Sequence, residues 1–471
     1  MTRARGAWLA YGALAAALAL LGAVHWIWSV TLRGPVLYGE GAVANAAILA
    51  RDHLQYDSLA RWQDGAPIFT AANYPPLFFG LASLGVDPFV TGRIASIAAT
   101  LLVAGAIGFR ARPGGWLTAV VIALAWLGSV PVLQWGSALK PDLVALAFTV
   151  AAVMALDVAK PRHALAGALI GLAVMTKPTE LLPALAMFVF VARRDPRAAA
   201  RALVAGAIAA VVVMFATGSG PNSLMLHVVE WNALPWRFDL AASLLVLGLA
   251  LLAVPIATIA FTRPSTTIVT AYAIGALGIL ILGGREGATI NYLLDLSAAL
   301  ALALGGRAPL LASSVRFPIA ALLQSAVAVL LLNPFGVIPG RVVTTGAWAD
   351  PTQRIPALGR FGASLLVEDS GLLVANGLQP AVDDVFLWSR LRAREISGGF
   401  IFPAGDQLVA AVRVGRFDAV VTEVDLASLD VVGGFERQRW HPDLVTAVLD
   451  RYALLPSPDR VPGSLFVYTR R

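Results

Sequence analysis

Cysteine is absent from the 471 residues, which excludes disulfides and cysteine-held metal sites. Charge is also scarce. Asp, Glu, Lys and Arg make up 13% of the chain, against about 25% in ordinary soluble proteins. With 58% hydrophobic residues and a mean hydropathy of +0.76, a soluble chain of this kind could not cover its own surface. A soluble enzyme, a disordered protein and a nucleic-acid-binding domain are thereby excluded as readings of the whole chain. Histidine is sparse as well. His25, His53, His163, His227 and His441 lie far apart without His-x-x-x-His spacing, so they form no histidine metal site. Only His227, three residues before Glu230, has an acid at helical spacing that merits testing. There is no Walker-type glycine loop and no Gly-x-Ser-x-Gly, hence no sign of a soluble nucleotide-sugar site.

What the chain does hold is long apolar runs. The first, about 7–30, follows Thr2-Arg3-Ala4-Arg5 and is long enough to cross a ~30 Å hydrocarbon core. It reads as an uncleaved first helix rather than a signal peptide. Others fall near 88–109, 114–132, 142–158, 163–176, 179–192, 199–216, 239–261, 266–283, 290–305 and 317–333. The expected architecture is mainly α: a polytopic membrane protein with about 11 transmembrane helices. The short runs around Lys177-Pro178 suggest a break that lines a protein cavity. With the N-terminus in the cytoplasm, alternate connections carry Arg110, Arg112, Lys160, Arg162, Arg193, Arg194, Arg197, Arg201, Arg263 and Arg307. That asymmetry fits the positive-inside rule and places the 31–87 loop and the C-terminal segment outside. The net charge of +7 is accordingly read as topology, with no nucleic-acid partner.

The first outer loop should contain two interfacial helices. Glu40–Leu59 carries Val43, Ala47 and Leu54 at helical spacing among polar residues, and 77–86 is apolar but too short to span. After about residue 340 charge becomes frequent, and β-like runs (364–368, 417–422, 464–468) alternate with helical ones (384–395, 406–414, 442–452). This predicts a small extracytoplasmic α/β domain over 341–471 behind a membrane domain over 1–340.

Ionisable residues at membrane depth are costly and mark candidate sites. Here they are Glu40, Asp142 with Lys140, Lys177 with Glu180, Arg285 with Glu286, and Asp295. On the topology above they gather at the outer ends of the spans. Two acids with several cations suit transfer to a hydroxyl. A carboxylate removes the proton, and Lys and Arg hold a phosphate leaving group. An amphiphilic donor with a phosphate head and a lipid tail would fit between helices at that face. Trp26, Trp28, Trp126, Trp135, Trp231 and Trp236 fall near span ends as an interfacial belt would, although Trp231 or Trp236 could instead stack on a sugar.

Six short motifs, in order, carry a resemblance. They are Tyr38-Gly39-Glu40-Gly41, Tyr74-Pro75-Pro76-Leu77, Gly92-Arg93, Lys140-Pro141-Asp142-Leu143, Met175-Thr176-Lys177-Pro178-Thr179 and Asn291-Tyr292-Leu293-Leu294-Asp295. Over about residues 1–310 the chain resembles the GT-C superfamily of integral-membrane glycosyltransferases. Within it, the chain is similar to the bacterial branch related to protein O-mannosyltransferases and the lipid A aminoarabinose transferase. The resemblance implies an inverting transfer of a sugar from a polyprenyl-phosphate donor to a hydroxyl of a lipid, glycan or protein, at the outer face of the cytoplasmic membrane. It implies Glu40 as base, although the family acid is usually an Asp and Gly39-Glu40 stands here. Asp142 would position the acceptor or a metal, and Lys177 and Arg285 would stabilise the departing phosphate. Some members use a divalent cation (Mg or Mn) near the acids and some do not. A secondary transporter and a non-catalytic envelope scaffold are the alternatives from other classes.

Overall fold

The computed structural model describes residues 2–53, 56, 67–262, 266–334, 354–398, 401–431, 437–456 and 465–471. Each of the eleven apolar runs forms a helix. In the first part of the chain these helices, with short ones between, are α1 (Thr2–Thr31), α2 (Glu40–His53), α3 (Pro76–Ala82), α4 (Pro88–Ala111), α5 (Trp116–Leu127), α6 (Val130–Trp135), α7 (Asp142–Leu156), α8 (His163–Val174), α9 (Leu181–Ala192) and α10 (Pro196–Ala216). Phe238–Phe261, Ile268–Leu282, Leu294–Gly305 and Arg316–Leu332 follow. Segments Arg3–Thr31, Pro88–Gly114, Pro196–Ala216 and Phe238–Phe261 are long and apolar enough to cross a membrane, which makes this a multi-pass membrane protein. The remaining apolar helices are 10–17 residues long, short of the ~20 residues of a full span, so the expected count of eleven spans is not fixed by helix length.

Local chemistry sets the helix ends. Asp87 accepts from the amides of Phe89 and Val90, and Asp195 from those of Arg197 and Ala198, each ahead of a proline at the first helical position. Small residues let α8 and α10 touch. A side-chain carbon on Gly167 would come 1.9 Å from the Ala202 carbonyl oxygen.

The first loop departs from expectation. Its α2 helix does not lie on a membrane surface with one face free, since residues 40–47 are all buried. The Gly-Ala-rich start of α2 lets it pack on several sides, against α3 and against the helix Gly371–Ala375 of the C-terminal region. Leu54 and Asp57 of the expected helix fall outside the described residues.

The C-terminal region forms a four-stranded sheet in the order β1 (Leu365–Val367), β2 (Ala419–Thr422), β4 (Phe466–Arg470), β3 (Tyr452–Leu454). β1 and β2 are parallel; β4 runs antiparallel to both β2 and β3. The helices Val385–Ile396, Pro403–Arg413 and Pro442–Arg451 bury Trp388, Leu391, Leu408, Val412, Leu444 and Val448 against it. The boundary expected at 340/341 falls outside the described residues.

This α/β unit is fastened to the first loop. Phe69 pairs in parallel with Val382, and the Ile68 and Phe69 amides both donate to the Ala381 carbonyl (2.6 and 3.0 Å). Asn45 donates to Asp383 Oδ2 at 2.9 Å and the Ala71 amide to Oδ1 at 2.6 Å. Gly41 lies directly on Gly371.

Candidate active site

Glu40 and Arg93 form a sealed hub, both 0% exposed. Arg93 donates to Glu40 Oε2 at 2.6 Å and to the carbonyls of Ser29, Leu32 and Gly34. The Val36 amide also reaches Oε2 (2.8 Å), and the Leu139 amide reaches Oε1 (2.7 Å). Burial alone would raise the Glu40 pKa; the Arg93 charge and these donors outweigh it and hold the carboxyl below its ordinary value. Glu40 was expected to face an acceptor hydroxyl. Instead both its oxygens are occupied, and it ties together the end of α1, the first loop, the start of α4 and the chain before Lys140.

Asp142, Lys177 and Arg285 do come together. Asp142 opens α7. Lys177 follows α8 in an extended conformation (φ −147°, ψ 125°), as the residue before a proline prefers, so the Lys177-Pro178 break turns its side chain off the helix line. Its ammonium donates to Asp142 Oδ1 at 2.7 Å, and Asn291 Nδ2 reaches the same oxygen at 2.7 Å. Asp142 Oδ2 is buried without a partner among the described residues. Lys177 Nζ stands 5.1 Å from the centre of the Tyr292 ring. Arg285 donates to the Tyr292 hydroxyl (3.1 Å) and to Asn232 Oδ1 and its carbonyl (both 3.1 Å). Tyr74 of the Tyr-Pro-Pro motif lies in the field of Asp142, Lys177, Tyr292 and Arg285.

The other singled-out residues take different places. Deeper among the helices, Glu180 accepts from the Thr149 hydroxyl (2.7 Å) and Asp295 from the Tyr272 hydroxyl (3.0 Å). Glu286 pairs with Arg390 of the C-terminal unit at 2.7 Å. His227 is buried between Tyr56 and Trp231, its ring 4.4 Å from that of Trp231. Trp231 is itself 6% exposed and packs on Phe69, a core position rather than a sugar platform. Trp236 is exposed and donates to the Ile281 carbonyl.

Sequence reasoning gave no role to the C-terminal side of this region. The Tyr38 hydroxyl donates to Asp384 Oδ1 (3.2 Å) and accepts from the Phe386 amide (3.0 Å). The Arg439 guanidinium lies 4.1 Å over the Tyr38 ring and pairs with Glu368 (3.0 Å) and Glu423. Burial, with Glu423 nearby, pushes the Asp369 carboxyl up to about 8; burial pushes Asp383 up to about 7. Tyr38 lies in a quoted motif, but no sequence signal marked Glu368, Asp369, Asp383, Asp384 or Arg439, because charge in a water-facing domain costs little.

A divalent cation near the acids would find Asp142 Oδ2 unclaimed, but with the Lys177 ammonium on the same carboxylate. Among the described residues no three His, Asp or Glu side chains are grouped to hold a metal ion. This donor set does not fit a resident cation.

The structure thus holds a helical membrane domain with a buried polar cluster and a small α/β unit closed over its first loop. Residues 67–228 match the model of glycosyltransferase family 87. The structure of ArnT from Cupriavidus metallidurans bound to undecaprenyl phosphate is similar, with a TM-score of 0.59 at 14% identity over 96% of this chain and 97% of that one. Its apo form gives 0.58 at 14% identity, over 96% of each chain. No curated sequence matches the chain. At 14% identity the likeness to these structures is one of fold.

Proposed function

We propose that this protein is a membrane glycosyltransferase that moves a sugar from a polyprenyl-phosphate donor to a hydroxyl on a lipid, glycan or protein. The site faces the outer side of the cytoplasmic membrane, and the reaction inverts the anomeric carbon. The observation that carries this reading is the meeting of Lys177 and Arg285 at Tyr292, one over its ring and the other on its hydroxyl. They are separated by more than a hundred residues of chain, yet both reach one tyrosine beside a buried acid. Two cations with donors to spare suit a phosphate that gains charge as its sugar departs. The family 87 match and the fold shared with an undecaprenyl-phosphate-bound structure support the choice of carrier.

In this reading Lys177 and Arg285 hold the phosphate. Asp142 keeps Lys177 charged and aimed, and its free oxygen positions the acceptor. Glu40 orders the first loop through Arg93 and does not touch substrate.

Binding of undecaprenyl phosphate to purified protein tests the cations. Lys177→Met should weaken it more than Lys177→Arg, because Arg keeps the charge, and Arg285→Met should weaken it too. Equal affinity in wild type, Lys177→Met and Arg285→Met would remove both from the site. For sidedness, cysteines placed at exposed Ser428 and Lys160 should differ: an impermeant thiol reagent on spheroplasts should label 428 and spare 160.

A further inference from the structure

The α/β unit and the membrane helices leave a crevice of about 920 Å³ between them, towards the upper end of small-molecule sites at about 300–1,000 Å³. On the membrane side it is walled by residues 287–289 and the start of the helix Phe238–Phe261. On the other side stand the helix Val385–Ile396 and residues drawn from 437–446. Two hydrogen bonds join this crevice to the candidate site. Thr289, in its lining, bonds Asn291 Oδ1 from its hydroxyl at 2.8 Å, and Asn291 Nδ2 donates to Asp142 Oδ1 at 2.7 Å. Gly287, also in the lining, is two residues beyond Arg285 on the same loop.

The charge of the crevice is balanced. Three arginines line it, and each already has an acid: Arg237 with Asp239 at 2.6 Å, Arg390 with Glu286 at 2.7 Å and Arg437 with Asp430 at 3.4 Å. His441 adds no charge. Its Nδ1 accepts from the Asp443 amide at 3.2 Å, and burial holds its pKa below the ordinary value, so the ring is neutral at pH 7 and Nε2 is left as the donor. A phosphate or carboxylate entering here would have to compete with a carboxylate for every arginine. The groups still unclaimed are neutral: the Gln438 amide and the Thr446 hydroxyl make no side-chain bond among the described residues. Amides, hydroxyls and arginine–carboxylate pairs together offer both donors and acceptors, which matches sugar hydroxyls, each able to donate and accept. None of the four β-strands borders the crevice, so a peptide would find no strand edge to pair with.

We propose that this crevice binds the acceptor, and that the acceptor is a neutral glycan. Its terminal sugars fill the space between the two domains, and its reacting hydroxyl is led past Thr289 and Asn291 towards Asp142. This rests on the glycosyl-transfer reading above and narrows its choice of lipid, glycan or protein to one class. The two domains then divide the substrates. Cations of the membrane domain hold the donor phosphate, while the α/β unit supplies one wall of the acceptor site and selects what enters.

The lack of native cysteine permits a reversible block. Thr446→Cys places a thiol at an exposed position of the crevice, and Val414→Cys places one at an exposed position of the same unit outside its lining. Each full-length variant, in membranes, is modified with a bulky methanethiosulfonate and later released with dithiothreitol. Radiolabelled undecaprenyl-phosphate hexoses serve as donors and the endogenous membrane components as acceptors. Modified Thr446→Cys should lose transfer by ~10-fold or more, since an acceptor held off its reacting position loses the advantage of orientation. Dithiothreitol should restore the rate, which separates a block from misfolding. Undecaprenyl phosphate binding to the purified, modified protein should be unchanged, and modified Val414→Cys should transfer as wild type does. Partial acid hydrolysis of the product should release the label joined to its neighbour as a neutral disaccharide. Transfer at the wild-type rate in modified Thr446→Cys, or loss of carrier binding along with transfer, would overturn the assignment of the crevice. Label joined to a uronate, a phosphorylated sugar or an amino acid would overturn the acceptor class. If wild type neither binds undecaprenyl phosphate nor transfers from any of the donors, the glycosyl-transfer reading itself fails and takes this inference with it.

Discussion

Gly41 of the first loop lies on Gly371 of the C-terminal domain so closely that a side-chain carbon at 41 would stand 2.1 Å from the Gly371 amide nitrogen. The obstacle is backbone, which cannot rotate aside as a side chain can. Glycine is required at 41 for this approach.

Gly41→Ala should therefore loosen the domain contact by about 1–3 kcal/mol, the usual cost of overpacking. Limited proteolysis should cut between the domains faster in the variant than in wild type, and the melting transition in detergent should fall. An unchanged digestion rate would mean that the contact yields more easily than the geometry implies.

The Arg93–Glu40 pair is wholly buried, so removing one partner strands the other. Arg93→Met should cost about 3–5 kcal/mol and reduce yield of folded protein sharply. Glu40→Gln should be milder, because the amide oxygen still accepts from the Leu139 or Val36 amide. The double variant should recover part of the loss seen with Arg93→Met alone. Additive losses in the double variant, read from thermal melts, would contradict a direct pairing.

Asp369 gives a pH signature. Its folded pKa of about 8 lies above the ordinary 3.8, so the folded state holds a proton that the unfolded chain releases. Its contribution to stability is full below about pH 4 and is lost as pH rises towards about 8. The acids and bases that face it are Glu423, Arg439 and Glu40. Asp369→Asn still accepts from the Gly371 amide but has no proton to lose. The two proteins should melt together near pH 4 and separate as pH rises, the Asn variant becoming the more stable. Parallel curves across that range would refute the shift.

Tyr292 joins the two cations, its ring under Lys177 and its hydroxyl on Arg285. Tyr292→Phe keeps the ring and releases Arg285. Undecaprenyl phosphate binding should weaken about tenfold, equivalent to about 1.4 kcal/mol, in the range of a hydrogen bond to a charged group. Arg285→Met should be worse. If Phe and Met variants bind alike, the hydroxyl rather than the charge is what matters there.

Much of this fold was legible. Apolar runs report burial or bilayer directly, so each formed a helix, although the run 114–132 breaks at Gly128-Ser129 into Trp116–Leu127 and Val130–Trp135. In the C-terminal region, the runs 364–368 and 417–422 became β1 and β2, because β-branched residues clustered between turns mark strands. Asp142, Lys177, Asn291 and Tyr292 all lie in the quoted motifs and meet in space. The orientation of Glu40 was not legible. An acid between glycines reads as available, and only three-dimensional proximity shows that Arg93, fifty-three positions on, has claimed it. The Gly92-Arg93 motif was the available clue, since an arginine at the start of an apolar helix needs a partner. The burial of α2 was equally hidden, because Ala-rich helices suit a membrane surface and a tight protein crevice alike. Asp384 and Arg439 gave no signal, being ordinary charges in a domain where charge is common.

The fastening of the α/β unit onto the first loop has a consequence for the order of synthesis. Lys177, Arg285 and Tyr292 have all emerged by the time the membrane helices are made, whereas Asp384 and Arg439 come near the end of the chain. Until those residues are made, Tyr38 lacks Asp384, Phe386 and Arg439 as partners. The packing of the first loop is then completed late, when residues 371–384 close on a segment built long before them.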